Sequence, residues 1–272
     1  MTDSRGLGPF SVSDDAHDDH DPLVRALGRL AVEPPPAFDD RVISGWVVVP
    51  GPVGQLFVAF SPRGVSYVRL TRQPDADLGG LLEDFRRRFG RPVQAADRPP
   101  AGLGTAVRTG RSAGLDLDLG GSSDFERAVL RKAMEIPRGE IRPYAWIARE
   151  IGRPRAVRAV GSALGHNPVP ILVPCHRVVL SDGQVGNYAM GPELKRQLLT
   201  VEHVDLAEAE RLAAAGVHYL GSDTTGVVCY PTCRHARRIS ASHRVTFRRM
   251  ARALDEGYRP CLDCRPALAE TA

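Results

Sequence analysis

Lysine, aromatic side chains and long apolar runs are scarce in this chain. Only Lys132 and Lys195 are lysines among its 36 basic residues, and aromatic residues make up 6% of the 272. No run of eighteen apolar residues occurs, so we expect no membrane-spanning helix. The N-terminus also lacks a basic segment followed by an apolar one, so we do not expect export.

Cysteine is scarce as well, and it is unevenly placed. Cys175 is the only cysteine in the first 228 residues, and the other four lie close to the C-terminus. They form a C-x3-C pair, Cys229 and Cys233, and a C-x2-C pair, Cys261 and Cys264. Unpaired cysteines at metal-binding spacing favour a reducing, cytoplasmic compartment over a disulfide framework.

The charges divide the chain into an acidic arm and a basic body. Residues 1–40 hold nine acidic residues and three arginines, whereas the rest holds 33 basic and 23 acidic residues. We expect the arm to be disordered, because it is polar and strongly charged. The basic body favours a polyanionic partner such as DNA, although arginine richness is also typical of a GC-rich genome.

Residues 41–120 have the pattern of a small α/β unit. Apolar residues at helical spacing predict a helix over 81–89, and alternation predicts a strand over 115–119. Before them, runs rich in Val, Phe and Tyr predict a three-stranded meander. Its strands are expected at 43–49, 55–60 and 65–70.

Residues 121–205 have a helical pattern. A capping box at Ser123 begins a helix that we expect to end near Gly139. Short helices over 144–151 and 155–165, joined by a tight turn, predict a helix-turn-helix. The second of these helices would carry the DNA-binding face, formed by Arg155, Arg158, Ala159 and Ser162.

Cys175 lies beside His176 in the run ILVPCHRVV. A cysteine attacks as the thiolate and therefore needs a neighbouring base or positive charge; taken alone, Cys175 could equally be an inert core thiol. Glu202 follows a helix predicted over 193–201 and could orient the imidazole, as a third group does in nucleophilic triads. Other polar residues occupy positions where the apolar pattern predicts apolar ones: Tyr144, Arg158 and Asn167.

The stretches RAVGSALGHNPVPILVPCHRVV and GQVGNYAMGPELKRQLLTVE resemble the O6-alkylguanine-DNA alkyltransferase family. The resemblance covers roughly residues 43–205. It implies a ribonuclease H-like α/β unit followed by a winged-helix-like domain that contains the helix-turn-helix. It also implies DNA repair by irreversible transfer of an alkyl group from O6 of guanine, or O4 of thymine, to Cys175. Such a protein needs no methyl-donor cofactor, and we expect a monomer bound to double-stranded DNA.

The same resemblance assigns roles around the cysteine. His176 would take the proton of Cys175 through a bound water, with Glu202 behind the imidazole. Asn167 would hold the turn that carries the cysteine, although it could equally be only a turn-former. Tyr144 would act near the damaged base and the rotated phosphate.

Further matching positions concern the base and its pocket. Arg158 would fill the gap left by the extruded base, although an ordinary solvated arginine is the alternative. Tyr188 and Lys195 would line the pocket, and Lys195 could also be a solvated helix lysine. Ala189 and Met190 depart from many relatives, which leaves the size of the accepted alkyl group open.

The four C-terminal cysteines have the spacing of a zinc site. Four thiolates would enclose one Zn²⁺, and a segment this short needs the metal to fold. Residues 217–268, after a helical linker at 206–216, resemble the metal-binding domain of the Ada adaptive-response proteins. The resemblance implies that Cys229 accepts a methyl group from a phosphotriester, but Tyr230 departs from that pattern. A structural zinc site that grips DNA is therefore the alternative.

Two rival functions remain beside DNA alkyl transfer. A non-catalytic lesion sensor, or a methylation-responsive transcription regulator, would use the same DNA-binding face. A Cys-His hydrolase would use the same thiol, although the sequence gives no sign of a pocket for an acyl substrate. Cys175 together with His176, Asn167 and Glu202 favours the alkyltransferase over the sensor or regulator, and a hydrolase would be recognised by repeated turnover.

Overall fold

The computed structural model describes residues 43–71 and 77–266. The acidic arm expected over 1–40 lies outside these residues. None of the described helices is long and apolar enough to cross a membrane. The fold is mixed α/β, with two four-stranded sheets and a two-stranded one among the described residues.

The N-terminal sheet is built on the expected meander. Strands β1 (Ser44–Gly51), β2 (Gly54–Ser61) and β3 (Gly64–Leu70) pair antiparallel, and β4 (Val93–Ala95) pairs parallel with β1. The strand order is β3-β2-β1-β4. The three-strand prediction is therefore confirmed, within two residues at each end.

Two helices accompany this sheet. Helix α1 (Leu78–Phe89) begins where the Asp77 side chain accepts a hydrogen bond from Gly80 N, and it ends at Gly90 in the left-handed region. Its buried face packs Phe85 edge-on against Tyr67 of β3. Helix α2 (Leu103–Thr109) follows.

The strand predicted over 115–119 is reduced to a single bridge, between Val65 and Leu117. Two backbone hydrogen bonds of 2.9 Å accompany this bridge. The pairing stops because the Asp118 carboxylate accepts a hydrogen bond from Gly120 N and pairs with Arg63, which turns the chain out of register.

The helical half begins with the predicted capping box, at the start of α3 (Asp124–Met134). This helix ends before the expected Gly139, because Pro137 disfavours helical geometry in the residue before it. Helices α4 (Tyr144–Glu150) and α5 (Val157–Gly165) follow as the predicted pair. Helix α5 begins two residues later than predicted, so Arg155 lies in the turn rather than on the helix.

The remaining elements of this half surround the cysteine. A single 3-10 turn, Cys175–Arg177, leads into strand β6 (Val178–Val179). Strand β6 pairs parallel with β5 (Arg142–Pro143), which directly precedes α4. Helices α6 (Pro192–Val201) and α7 (Leu206–Ala214) complete the half, and α7 occupies the stretch expected to be a helical linker.

The C-terminal segment forms a small sheet and one short helix. Its elements are β7 (Tyr219–Ser222), β8 (Val227–Cys229), β9 (Arg244–Phe247), α8 (Met250–Asp255) and β10 (Arg259–Pro260). The order is β10-β8-β7-β9. Phe247 ends β9, where it pairs with Tyr219 of β7. Buried side chains of this sheet and of the helical half belong to one continuous core.

Candidate active site and candidate metal centre

Cys175 opens the 3-10 turn that follows the run of prolines and aliphatic residues, and it is 5% exposed. Its Sγ accepts a hydrogen bond of 3.1 Å from Asn167 Nδ2. Burial raises the pKa of the Cys175 thiol, and the hydrogen bond from Asn167 and the charge of Lys195 oppose that rise only in part. The resting cysteine is therefore a thiol, and it needs a base to become a nucleophile.

Asn167 also fixes the loop that leads to the cysteine. Its Nδ2 donates to Val173 O at 3.0 Å, and its Oδ1 accepts from Val169 N at 3.0 Å. Between these two bonds, buried Ile171 has a φ of 75°, which a β-branched residue rarely adopts. Such a conformation costs about 1–3 kcal/mol and persists only where its surroundings impose it. Asn167 is thus both a turn-former and a direct partner of the sulfur.

His176 is buried, and its Nε2 lies 3.2 Å from Glu202 Oε1. Neither ring nitrogen has a well-aligned hydrogen-bond partner among the described residues. Burial lowers the pKa of His176, and the carboxylate of Glu202 opposes that shift. The imidazole is consequently neutral at pH 7 and free to take a proton.

Glu202 directly follows α6, where it caps the helix. Burial alone would raise its pKa, but the close His176 ring and the hydrogen bonds and charge of Arg177 outweigh burial and lower the pKa to about 2. The carboxylate is thus ionised throughout the physiological range. A fixed negative charge beside a neutral imidazole stabilises the imidazolium that forms when the ring takes a proton.

Lys195 is completely buried, so the alternative of a solvated helix lysine is wrong. Its ammonium donates to Val178 O at 2.6 Å and to the carbonyl oxygens of Val185 and Asn187. Burial lowers the pKa of Lys195 to about 8, while the nearby Cys175 opposes the shift. Its Nζ also lies 5.9 Å from the centre of the Tyr144 ring.

Tyr144 and Tyr188 are half-buried and stand close to the cysteine. Burial and the neighbouring Cys175 raise the pKa of both phenols. The Tyr188 hydroxyl is buried without a well-formed hydrogen bond among the described residues. Two phenols therefore lie close to the sulfur.

The helix-turn-helix face is open to solvent. Val160, Ala163 and Leu164 of α5 are buried, whereas the residues predicted to contact DNA are exposed. These are Arg155, Arg158, Ala159 and Ser162. The Arg158 side chain has no ion-pair partner among the described residues. Tyr144 links this face to the cysteine, because a Cβ placed on Gly161 of α5 would lie 3.9 Å from its ring.

The four C-terminal cysteines converge on one point. The sulfur atoms of Cys229, Cys233, Cys261 and Cys264 all lie within 4.8 Å of one another, and all four residues are buried. Zn–S bonds of about 2.3 Å would place the thiolates of a tetrahedral site about 3.8 Å apart. The donor set therefore fits one Zn²⁺, held by these four residues.

Two family models match adjoining parts of the chain. Residues 124–204 match "6-O-methylguanine DNA methyltransferase, DNA binding domain", and residues 205–267 match "Metal binding domain of Ada". A methylated-DNA–protein-cysteine methyltransferase from Methanosarcina acetivorans is 32% identical over 164 residues, which is 58% of this chain and 97% of that protein. The chain belongs to the methylated-DNA–protein-cysteine methyltransferase family.

Other members of this methyltransferase family match over a shorter stretch. The protein from Mycolicibacterium paratuberculosis is 50% identical over 88 residues, which is 32% of this chain and 53% of that protein. The Methanosarcina barkeri protein is 45% identical over 102 residues, which is 37% of this chain and 65% of that protein. The chain thus spans about half to two thirds of these two relatives. The crystal structure of Mycobacterium tuberculosis OGT in complex with DNA is 30% identical, covers 61% of this chain and 98% of that one, and has a TM-score of 0.48.

Arg177 was not predicted from the sequence of this methyltransferase family member, although it directly follows Cys175 and His176, which were predicted. Arg177 is buried and contacts Glu202, which lies 25 residues further along the chain. One signal was available: an arginine flanked by the apolar runs 171–175 and 178–180 must be buried with its charge, and therefore needs a carboxylate.

Proposed function

We propose that this protein repairs alkylated DNA by moving an alkyl group from O6 of guanine to Cys175. The observation that carries the proposal is the hydrogen bond from Asn167 to the Cys175 sulfur, together with the buried His176–Glu202 pair that begins at the next residue. Membership of the methyltransferase family supports the same reaction. The partner would be double-stranded DNA that contains an alkylated guanine, bound by a monomer.

The reaction begins with the removal of the Cys175 proton. His176, neutral because of its burial, takes that proton through a bound water, and ionised Glu202 stabilises the imidazolium. The thiolate then attacks the alkyl carbon. A sulfur–carbon bond forms, and the bond between carbon and O6 breaks.

The guanine that leaves keeps the electron pair of the broken bond and takes up a proton. Tyr144 and Lys195, both close to Cys175, are the candidate donors. The product at Cys175 is a thioether, which is a poor leaving group towards water. Each molecule therefore reacts once, and no methyl-donor cofactor takes part.

DNA would meet the protein at α4 and α5. The target base is inaccessible inside a duplex, so it must be extruded at a cost of a few kcal/mol. Exposed Arg158 would enter the space that the base leaves, and small Ala159 and Ser162 would allow close docking in the minor groove. The part of the chain that docks would be a winged-helix-like domain at 121–205. It follows, in sequence, a ribonuclease H-like unit at 41–120.

For the C-terminal segment we propose a zinc domain at 217–268, behind a linker at 206–216, in which the zinc is structural. Cys229 is 1% exposed and lies in β8, between β7 and β10. Cys175 is also buried, but it has two half-buried tyrosines beside it, whereas Cys229 has buried cysteines around it. The expected cytoplasmic location depends on the cysteine spacing and stays a prediction.

The test uses duplex DNA that carries O6-methylguanine with a radiolabelled methyl group. The wild-type protein should acquire one label per molecule, and Cys175→Ala should acquire none while still binding the DNA. A lesion sensor would bind without label in both forms, and a hydrolase would turn over repeatedly. Equal labelling of the two forms would show that the central assignment is wrong.

A further inference from the structure

The zinc domain packs on the first helix of the helix-turn-helix. Trp146, in the middle of α4, is 2% exposed, and its indole Nε1 donates to the backbone oxygen of Cys264 at 3.0 Å. The guanidinium of Arg265 lies 5.6 Å from the centre of the same indole. One of the four clustered cysteines and its neighbour thus contact α4 directly.

Arg265 also joins the ends of two helices. Its guanidinium pairs with Glu135, which caps α3, at 3.1 Å, and with Glu150, the last residue of α4, at 2.9 Å. Arg149 of α4 donates to the carbonyl oxygen of Arg265. The chain just after Cys264 therefore fixes α3 and α4 relative to each other.

A second set of contacts connects the first cysteine pair with strand β5. Buried Glu140 accepts a hydrogen bond from Arg234 N at 3.0 Å, next to Cys233, and pairs with Arg142. Ile141 N donates to Thr232 Oγ1 at 3.0 Å. The segment 140–142 thus meets the zinc domain at two successive residues, Glu140 and Ile141.

Strand β5 connects the residues that contact the zinc domain with the segment at Cys175. Arg142 pairs with Val178, which directly follows the Cys175–Arg177 turn. Before β5, the carbonyl oxygen of Ile136 accepts a hydrogen bond of 2.6 Å from Arg177. The stretch 136–142 therefore has the zinc domain on one side and the catalytic turn on the other.

The positions of these partners depend on the metal. The oxygen of Cys264 and the amide of Arg234 belong to the two cysteine pairs, and without zinc only the short pairing of β8 with β10 and the surrounding packing hold the pairs together. Loss of the metal would leave Trp146 and the buried pair Glu140–Arg142 without their partners. Buried polar groups without partners destabilise the packed arrangement.

We infer that zinc occupancy controls the DNA-binding helix pair, so that the zinc domain works as a regulatory part of the alkyltransferase. The zinc domain acts on the helix pair through the contact between Trp146 and the Cys261–Cys264 loop. Helix α4 then transmits the state of the metal to α5. The inference rests on the proposed function in one respect, namely that α5 is the helix that meets DNA.

The first experiment removes zinc from the full chain with a chelator. In a Trp46→Phe background, Trp146 is the only tryptophan and reports the contact by its emission. We expect a red shift, faster amide hydrogen exchange in α5, and recovery of both when zinc is added back. A red shift without any change of exchange in α5 would overturn the inference, and so would no shift at all.

The second experiment keeps the metal and weakens the contact. Trp146→Phe retains the ring but loses the indole donor, whereas Trp46→Phe, in β1, is the matched control. Coupling between two sites is reciprocal and typically 5- to 150-fold. Trp146→Phe should therefore weaken both zinc affinity and the affinity for undamaged duplex DNA by about 5-fold or more. The arginines of the zinc domain stay in place, so lost charge does not explain weaker DNA binding.

Equal zinc and DNA affinities in Trp146→Phe and Trp46→Phe would overturn the inference. None of these measurements depends on alkyl transfer. A zinc-loaded chain that takes no label from O6-methylguanine DNA would refute the proposed reaction, while the emission and exchange results would still decide the coupling.

Discussion

Arg177 holds Glu202 through two hydrogen bonds of 2.7 Å, from Nε to Oε2 and from Nη2 to Oε1. The same Oε1 lies 3.2 Å from His176 Nε2. One carboxylate thus serves both a permanent cation and the candidate base. Arg177 keeps the carboxylate ionised and immobile, which fixes the ring of His176.

Arg177→Met should be strongly destabilising. The substitution leaves the Glu202 charge buried without its main partner, and breaking a buried ion pair in this way costs about 3–5 kcal/mol. Urea unfolding measures the loss, with Arg131→Met on the exposed side of α3 as a control. Adding Glu202→Gln to Arg177→Met should restore part of the loss, since no charge is then left unpaired. A cost no larger than that of the control would contradict this account.

Glu202 should make the protein sensitive to acid. Its pKa in the folded chain is about 2, against an ordinary 4.5, so its contribution to stability is complete above pH 4.5. That contribution, on the order of 3 kcal/mol, is lost as the pH falls from 4.5 to 2. The difference in unfolding free energy between wild type and Glu202→Gln should shrink over this range. A difference that stays constant with pH would speak against the ion pair.

Lys195 should make stability depend on pH in the alkaline range, with the same sign of slope as Glu202. Its folded pKa of about 8 lies below the ordinary 10.5, so between these values the unfolded chain binds more protons. This group alone therefore makes stability rise with pH across that window, by on the order of 3 kcal/mol. Comparison of wild type with Lys195→Met cancels the contributions of other groups. Parallel pH profiles for the two proteins would show that the ammonium is not desolvated.

Local patterns in the sequence were enough for much of the fold. The capping box of Ser123 and Glu126 depends on residues three apart, and the meander depends on alternation within each strand. The cysteine spacing likewise predicted the four-sulfur cluster. In the first two cases the interacting residues are close in sequence. In the third, four cysteines at this spacing have few functions other than binding a metal.

What could not be predicted depends on contacts between distant parts of the chain. Trp146 and Cys264 lie 118 residues apart. The local sequence of α4 therefore does not predict that the zinc domain packs against this helix. Lys195 is different, because a signal was present. It lies three and four residues before Leu198 and Leu199, which are both buried, so helical geometry places it on the same face.

Arg158→Ala should slow alkyl transfer from duplex DNA more than from a single strand. Its proposed role is to fill the gap left by an extruded base, and only a duplex has such a gap to fill. The rate with duplex substrate should fall about 10- to 100-fold, which corresponds to a share of the few kcal/mol of extrusion. Arg131→Ala, also at an exposed arginine, is the matched control. Equal losses on single-stranded and duplex DNA would instead indicate a plain phosphate contact.

Cys229 should stay unmethylated on DNA that contains methyl phosphotriesters but no damaged bases. Cys229 is 1% exposed, so a DNA backbone does not reach its sulfur unless the surrounding residues move. Peptide mass analysis after incubation with the zinc-loaded full chain gives the answer, with O6-methylguanine DNA and Cys175 as the positive control. A methyl group on Cys229 would mean that β8 or its neighbours open on DNA, and the zinc site would then be a second acceptor rather than a structural one.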